Sequence, residues 1–90
     1  MKIKHGRFFE KNFNKRIRNN VSLCKKYKQR VLLFIDNPNN PILKNHKLTG
    51  VMGNLKSFSI NGDIRVIYEE LDNSSVLFVD IGSHNQVYNQ

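Results

Sequence analysis

Acidic residues are almost missing from the first third of this chain. Residues 1–30 contain a single one, Glu10, against eleven lysines and arginines. So few acids exclude a surface of interleaved ion pairs there and leave a local charge balance of +10. The other sixty residues hold Lys44, Lys47, Lys56 and Arg65 against six acids, a balance of −2, so the net charge of +8 is regional. Long apolar runs are lacking too. The longest, Val31-Leu32-Leu33-Phe34-Ile35, is far short of the roughly 20 residues that cross a bilayer, which excludes a transmembrane helix. The segment Met1–Arg7 has neither the apolar stretch nor the small-residue cleavage site of a secretory signal, and a cytoplasmic location is expected. One cysteine, Cys24, cannot form an internal disulfide, and its apolar neighbours at helical spacing point to a buried structural thiol. There is no glycine-rich phosphate loop and no Gly-x-Ser-x-Gly nucleophile signature. His5, Cys24, His46 and His84 are too scattered for a zinc spacing, so neither a metal nor an organic cofactor is expected.

What is present suffices for one modest core. Ninety residues with 39% hydrophobic composition predict a single domain over 1–90. A basic N-terminal third attracts polyanions, of which nucleic acid carries the densest row of charges, so the composition points to RNA or an acidic protein as partner. The alternative is a solvated helical face. Lys2-Ile3-Lys4 predicts a short strand. Phe9, Phe13 and Ile17 then recur every four residues on one helical face, and Asn19-Asn20 breaks that element, with Asn20 placed to cap a second helix. On the second helix Cys24, Tyr27, Val31 and Phe34/Ile35 form the apolar stripe, and Asp36-Asn37-Pro38-Asn39-Asn40-Pro41 ends it. From Asn54 the period falls to two. Leu55–Ile60 and Ile64–Glu69 flank Asn61-Gly62, read as a two-residue hairpin turn, and Asp72–Ser75 leads to a last strand over Val76–Ile81. The expected fold class is α+β: a short N-terminal strand, a helical hairpin, then an antiparallel three-stranded meander. The helices would cover one face of the sheet and leave the other partly open.

Three segments carry a family likeness. Asn45-His46-Lys47-Leu48-Thr49-Gly50 resembles a "DHPLxG" motif, Asp63-Ile64-Arg65-Val66-Ile67-Tyr68 a "D-x-R-x-x-Y" motif, and Ile81-Gly82-Ser83-His84-Asn85-Gln86-Val87-Tyr88 an "xGTHxxxY/F" motif. In that order, behind a basic helix pair, they resemble the RelE/YafQ group of bacterial toxin–antitoxin toxins over nearly the whole chain. The resemblance implies the β-α-α-β-β-β fold, ribosome-dependent cleavage of translated messenger RNA without a metal, and a cognate acidic antitoxin. An alternative within the same superfamily is a non-enzymatic, ParE-like gyrase-inhibiting toxin, or a catalytically weakened homologue that still binds RNA or antitoxin.

Metal-free RNA cleavage needs the ribose 2′-hydroxyl deprotonated, the phosphorus oxygens stabilised and the departing 5′-oxygen protonated. His84 matches the histidine of the last motif, and an imidazole titrates near neutrality, suited to proton transfer; it could equally be an exposed loop histidine. Arg65 offers a fork of donors to a phosphate, or a salt bridge to Glu69 or Asp80. His46 falls on the upstream family histidine and is a second acid or base, or a loop-bonding residue. Asp63 matches an acidic family position beside the hairpin turn, where aspartate is also ordinary turn chemistry. Tyr88 matches the terminal aromatic and could stack on a base, or belong to a loose tail. Lys25, Lys26, Lys28 and Lys47 are the expected RNA contacts. The chain departs from the YafQ-like pattern at Ser59 (a histidine in the pattern), Ile64 (an aromatic) and Asp80 (an arginine), and an acid at Asp80 aimed at the scissile phosphate would repel it.

Overall fold

In the computed structural model, which describes residues 1–49 and 54–88, the chain runs β1 (Lys2–His5), α1 (Arg7–Arg16), α2 (Val21–Asp36), a 3₁₀ turn (Pro41–Leu43), β2 (His46–Lys47), β3 (Leu55–Ser59), β4 (Ile64–Asp72), β5 (Ser75–Ser83) and α3 (His84–Tyr88). Gly50, the last residue of the Asn45–Gly50 segment, lies outside the described residues. The strands form one sheet in the order β1-β5-β4-β3-β2, in which only the β1–β5 pair is parallel. The expected α+β architecture is present, with one strand more than the meander and an extra short helix.

Helical period explains α1 and α2. Phe9 and Ile17 are buried and Phe13 packs beside them, while α2 turns Cys24, Tyr27, Val31 and Phe34 towards the same core. Ile35 is a correction: it is 40% exposed, because Phe34 already fills the inward position of that turn. The Asn20 side chain accepts a hydrogen bond from Leu23 N at 3.0 Å, an N-cap worth about 1 kcal/mol. Cys24 is half-buried, and its thiol donates to the Ile17 carbonyl at 3.4 Å. Against the helices the sheet sets Phe58, Ile60, Val66, Tyr68, Val76, Phe78 and Ile81. Phe34 stacks on Phe58 with centroids 4.4 Å apart, and each such fully buried ring contributes roughly 1.5–3 kcal/mol.

Two strand expectations change. The β3–β4 link is not a two-residue Asn61-Gly62 turn but a four-residue connection, 60–63, in which Ile60 N donates to the Ile64 carbonyl and the Asn61 side chain accepts from Asp63 N and Ile64 N. Asparagine here bonds its own loop rather than adopting the tight turn. Between β4 and β5 the register shifts: Ile67 faces Asp80 and Tyr68 faces Phe78, so Val79 is an extra residue in β5. Such a bulge re-aims the side chains beside it. Phe78 and Ile81, three apart, thus share the helix-side core, while Val79 joins the opposite face.

That opposite face is less open than expected. Leu48, Ile67 and Val87 are buried there, with Leu55, Val79 and Tyr88 packed against them, so α3 and the segment after β2 cover much of it. Helix α3 starts with a capping box: Ser83 Oγ accepts from Gln86 N at 3.3 Å and Gln86 Oε1 accepts from Ser83 N at 2.8 Å. A Cβ at Gly82 would lie 2.6 Å from Arg16 Nη1 and 2.7 Å from Gln86 Oε1, so both side-chain ends would have to shift and give up their present contacts. Among the described residues no helix is long and apolar enough to cross a membrane.

Candidate active site

Ser57 is the hub of the sheet face opposite the helices. Fully buried on β3, its Oγ accepts from Arg65 Nε at 2.7 Å and from the Tyr88 hydroxyl at 2.7 Å. The antiparallel register produces this: Ser59 pairs with Arg65 and Ser57 with Ile67, so Arg65 leans along one face of the sheet to reach Ser57. Tyr88 is brought in by α3, where it is one helical turn from His84, and their rings meet edge-to-face at 4.4 Å. It is therefore half-buried in a helix rather than part of a loose tail.

Arg65 has a second fixed contact, Nη2 to the Lys44 carbonyl at 3.1 Å. Lys44 has φ 49° and ψ 43°, the left-handed conformation, which costs a non-glycine residue about 1–2 kcal/mol. That turn aims its carbonyl at Arg65 and at His46 Nδ1, 3.0 Å away. His46 Nδ1 also lies 3.4 Å from Arg65 Nη2. The shorter contact is to a carbonyl, which can only accept, so Nδ1 carries the proton in the neutral ring and Nε2 is left with its lone pair, an assignment made from the hydrogen bonds. Before His46, the Asn45 amide donates to the Tyr68 hydroxyl at 2.7 Å and to the Pro38 carbonyl at 3.0 Å, tying the segment to β4. Burial raises the pKa of the Tyr68 phenol, which the Asn45 bond partly offsets.

The structure thus joins His84, Tyr88, Ser57, Arg65 and His46 through successive contacts on one face, with both histidines exposed and Arg65 half-buried. The Nη1 side of the Arg65 fork has no protein partner among the described residues, which leaves donors for an anion. Neither of the salt bridges considered for Arg65 forms. Glu69 is not its partner, and Asp80 is engaged elsewhere.

Asp63 does not join the group. It is exposed beside the β3–β4 connection and lines a depression with Asn20, Ser22, Leu23, Lys26, Asn61 and Ile64. Lys26 is there with it, while Lys25 and Lys28 are exposed on α2. Lys47 is exposed next to His46, in a groove with Asn54, Lys56, Glu69 and Glu70. In that groove Glu70 binds Lys56 at 2.8 Å, so its positive charge is partly offset. Among the described residues no three His, Cys, Asp or Glu side chains are grouped to hold a metal ion.

Asp80 is turned away from this face. Buried, its Oδ1 accepts from Asn12 Nδ2 at 2.7 Å and from Ile81 N at 2.8 Å, with Arg16 Nη1 at 3.4 Å. Beside the bulge at Val79 it is held against α1, with Arg16 offsetting its charge, so the condition for repelling a phosphate, an unpaired acid aimed at it, is not met. Ser59 donates to the Asn61 carbonyl at 2.6 Å, serving the loop, and Ile64 packs on the helix-side core. Sequence reasoning missed Ser57 as a site residue; the one signal was a polar side chain in a strand among core residues.

The sequence matches, over residues 1–89, the family model described as the bacterial toxin of type II toxin–antitoxin system, YafQ. No curated protein sequence matches. Among solved structures, YafQ from E. coli strain BL21(DE3) superposes with a TM-score of 0.80 at 20% identity, covering 96% of each chain. The YoeB/ParE toxin from Agrobacterium tumefaciens gives a TM-score of 0.75 at 17% identity, covering 93% of this chain and 99% of that one. A chain of the E. coli DinJ–YafQ toxin–antitoxin complex gives 0.71 at 19% identity, covering 96% and 94%. At these identities the structures establish a shared fold.

Proposed function

The chain belongs to the YafQ family of bacterial type II toxin–antitoxin toxins, and on that premise we propose that it is a ribosome-dependent endoribonuclease that cuts translated messenger RNA and so inhibits translation. The observation that carries this is the contact chain from His84 through Tyr88, Ser57 and Arg65 to His46. It offers two imidazoles, one on each side of an arginine with donors to spare.

The chemistry follows from those groups. His46 Nε2 takes the proton of the ribose 2′-hydroxyl, whose oxygen attacks the adjacent phosphorus. Arg65 binds the non-bridging oxygens, where negative charge grows; removing one such donor typically costs about 10²–10³ in rate. His84 gives a proton to the 5′-oxygen as the P–O bond breaks, leaving a 2′,3′-cyclic phosphate and a free 5′-hydroxyl. Tyr88 orients His84. Lys25, Lys26 and Lys28 contact ribosomal RNA, and Lys47 the message. Asp63, remote from the group, serves its loop. The partner is a cognate acidic antitoxin, as E. coli YafQ has DinJ, and the ribosome places the protein in the cytoplasm.

Mapping new 5′ ends in cellular RNA after induction tests the reading. Cuts confined to translated messages, and absent in His84→Ala and Arg65→Ala variants that keep the wild-type melting temperature, are expected. Growth arrest that persists in both variants, or arrest with impaired DNA supercoiling and no cuts, sinks the nuclease assignment.

A further inference from the structure

Three features of the basic third have no part in the chemistry above: His5, the lone acid Glu10, and Tyr27, whose phenol burial pushes up to about 12. They meet in one place. A cavity of about 350 Å³, within the ~300–1,000 Å³ range of small-ligand sites, is lined by His5, Phe9, Glu10, Phe13, Asn14 and Tyr27. Its aromatic wall is continuous: His5 lies 5.6 Å from Phe9, Phe9 5.9 Å from Phe13, and Phe13 4.9 Å from Tyr27 between ring centroids. Phe9 is buried as the floor, Phe13 and Tyr27 are half-buried, and His5 is exposed at the mouth.

The polar groups of this cavity are all unspent. Among the described residues the Glu10 carboxylate, the Asn14 amide and the Tyr27 hydroxyl make no hydrogen bond or salt bridge with the protein. Outside it, the elements that form it carry Lys2, Lys4, Arg7, Lys11, Lys15 and Lys28, all exposed. An aromatic slot with a carboxylate inside a field of cations suits a flat, hydrogen-bonding ring attached to phosphates. An aliphatic side chain from an acidic protein would leave Glu10, Asn14 and Tyr27 unmatched, and such unmatched groups weigh against it.

We propose that this pocket binds one unpaired guanine base of an RNA strand, with the surrounding lysines holding the flanking phosphates. The inference rests on the reading of the basic third as an RNA-docking surface and names what that surface selects. The rings of His5, Phe13 and Tyr27 give the base its apolar walls, as aromatic side chains do for splayed RNA bases. Glu10 sets the choice of base. A carboxylate accepts two parallel N–H groups, and guanine alone presents two adjacent ones, N1–H and N2–H, on its pairing edge. Adenine and cytosine set a donor beside an acceptor there, and uracil sets its donor between two carbonyls, so each turns an acceptor towards Glu10.

The test needs no cleavage. The wild-type chain is titrated with 5′-GMP, 5′-AMP, 5′-CMP and 5′-UMP, followed by tyrosine fluorescence and by NMR shifts at His5, Phe13 and Tyr27. GMP should bind about tenfold more tightly than the others, the discrimination of one good paired contact. Glu10→Gln, an exposed substitution, should bring the four within about threefold while the melting temperature stays unchanged. A 2′-O-methylated RNA pentamer with one guanosine among uridines lacks the nucleophile for cleavage. It should bind more tightly than GMP and lose that advantage at high salt. Equal binding of all four nucleotides, a guanine preference that survives Glu10→Gln, or shifts at these residues caused by an acidic aliphatic peptide and by no nucleotide would each overturn the proposal. A pentamer no tighter than GMP would overturn the RNA assignment in favour of a free nucleotide. Guanine binding by a protein that cuts no message retracts only the nuclease reading, and cutting without guanine preference retracts only the pocket.

Discussion

Replacing Ser57 with alanine should damage the proposed chemistry far more than the fold. Ser57 Oγ is the common acceptor for Arg65 Nε and the Tyr88 hydroxyl, both at 2.7 Å. The substitution removes one oxygen from a fully buried site and leaves two donors to find new partners. Both donors sit on half-buried residues, and the loss of their two part-buried hydrogen bonds costs about 1–2 kcal/mol in all. For a domain of this size that lowers the melting temperature by roughly 5–15 °C. The consequence for cleavage is larger. Arg65 keeps its hydrogen bond to the Lys44 carbonyl but is no longer fixed on its Nε side, and Tyr88 is freed from the bond that holds its ring against His84. A displaced phosphate donor and a displaced proton donor together should reduce single-turnover cleavage of a ribosome-bound message by about 10²-fold or more. Thermal melting and a ribosome-programmed cleavage assay, both below the variant's melting range, measure the two effects separately. Cleavage within twofold of wild type would show that Ser57 does not hold the site, and the chain of side chains from His84 to His46 would have no bearing on the reaction.

Neutralising Lys25, Lys26 and Lys28 to glutamine should weaken association with ribosomes and flatten its dependence on salt, by about 0.7–0.9 in the log–log slope for each phosphate no longer neutralised; an unchanged slope would move the docking surface elsewhere. Asp80→Ala takes the counter-charge from Arg16, which keeps its bond to the Ile81 carbonyl, and strands the buried Asn12 amide, and should cost about 3–5 kcal/mol, as removal of one partner of a buried pair does; a melting temperature within about 3 °C of wild type would refute that account. Tyr27 has a folded-state pKa of about 12, above the unfolded value near 10, so its contribution to stability is complete below about pH 10 and is lost as pH rises through about 12. Tyr27→Phe should therefore make unfolding free energy fall less steeply over that interval, and denaturant melts at matched pH would expose an unaltered slope.

The helical hairpin was legible because its signals are local. Apolar residues every four positions and an asparagine that caps its own helix report on a few neighbouring residues, and Phe9, Ile17, Phe34 and Asn20 behave as read. The meander was legible for the same reason, through period two. What escaped was whatever depends on which strands meet. The parallel pairing of β1 with β5 joins Lys2 to Ser75 across the whole chain, and no local pattern encodes it. The bulge at Val79 exists only relative to β4, so the turn of Asp80 towards Asn12 and Arg16, 68 and 64 positions away, could not be seen. His46, Arg65, His84 and Tyr88 were picked out by family likeness. Ser57, which binds two of them, belongs to none of the quoted motifs and becomes visible only when β3 is laid beside β4.

The excess positive charge itself has to be divided once the side chains are placed. Arg16 is spent on Asp80 and the Ile81 carbonyl, and Arg30, buried, donates to the Ile42 carbonyl at 2.9 Å and fastens the 3₁₀ turn that ends in Lys44. Both arginines thus serve the site indirectly, one by securing the end of β5 from which α3 departs, the other by securing the turn whose carbonyl aims Arg65. The other cations of the first thirty residues lie on β1, at one edge of the sheet, and on or between the helices, which pack on the face opposite Ser57, Tyr88 and the Val87 cluster. The proposed docking surface and the proposed chemistry would therefore occupy opposite faces of one sheet. Under the proposed function an antitoxin that merely neutralised the helices would leave the histidines open. To silence the cut as well as the docking, its chain has to pass an edge of the sheet, at β1 or at β2, and reach the face where Arg65 still has donors to offer.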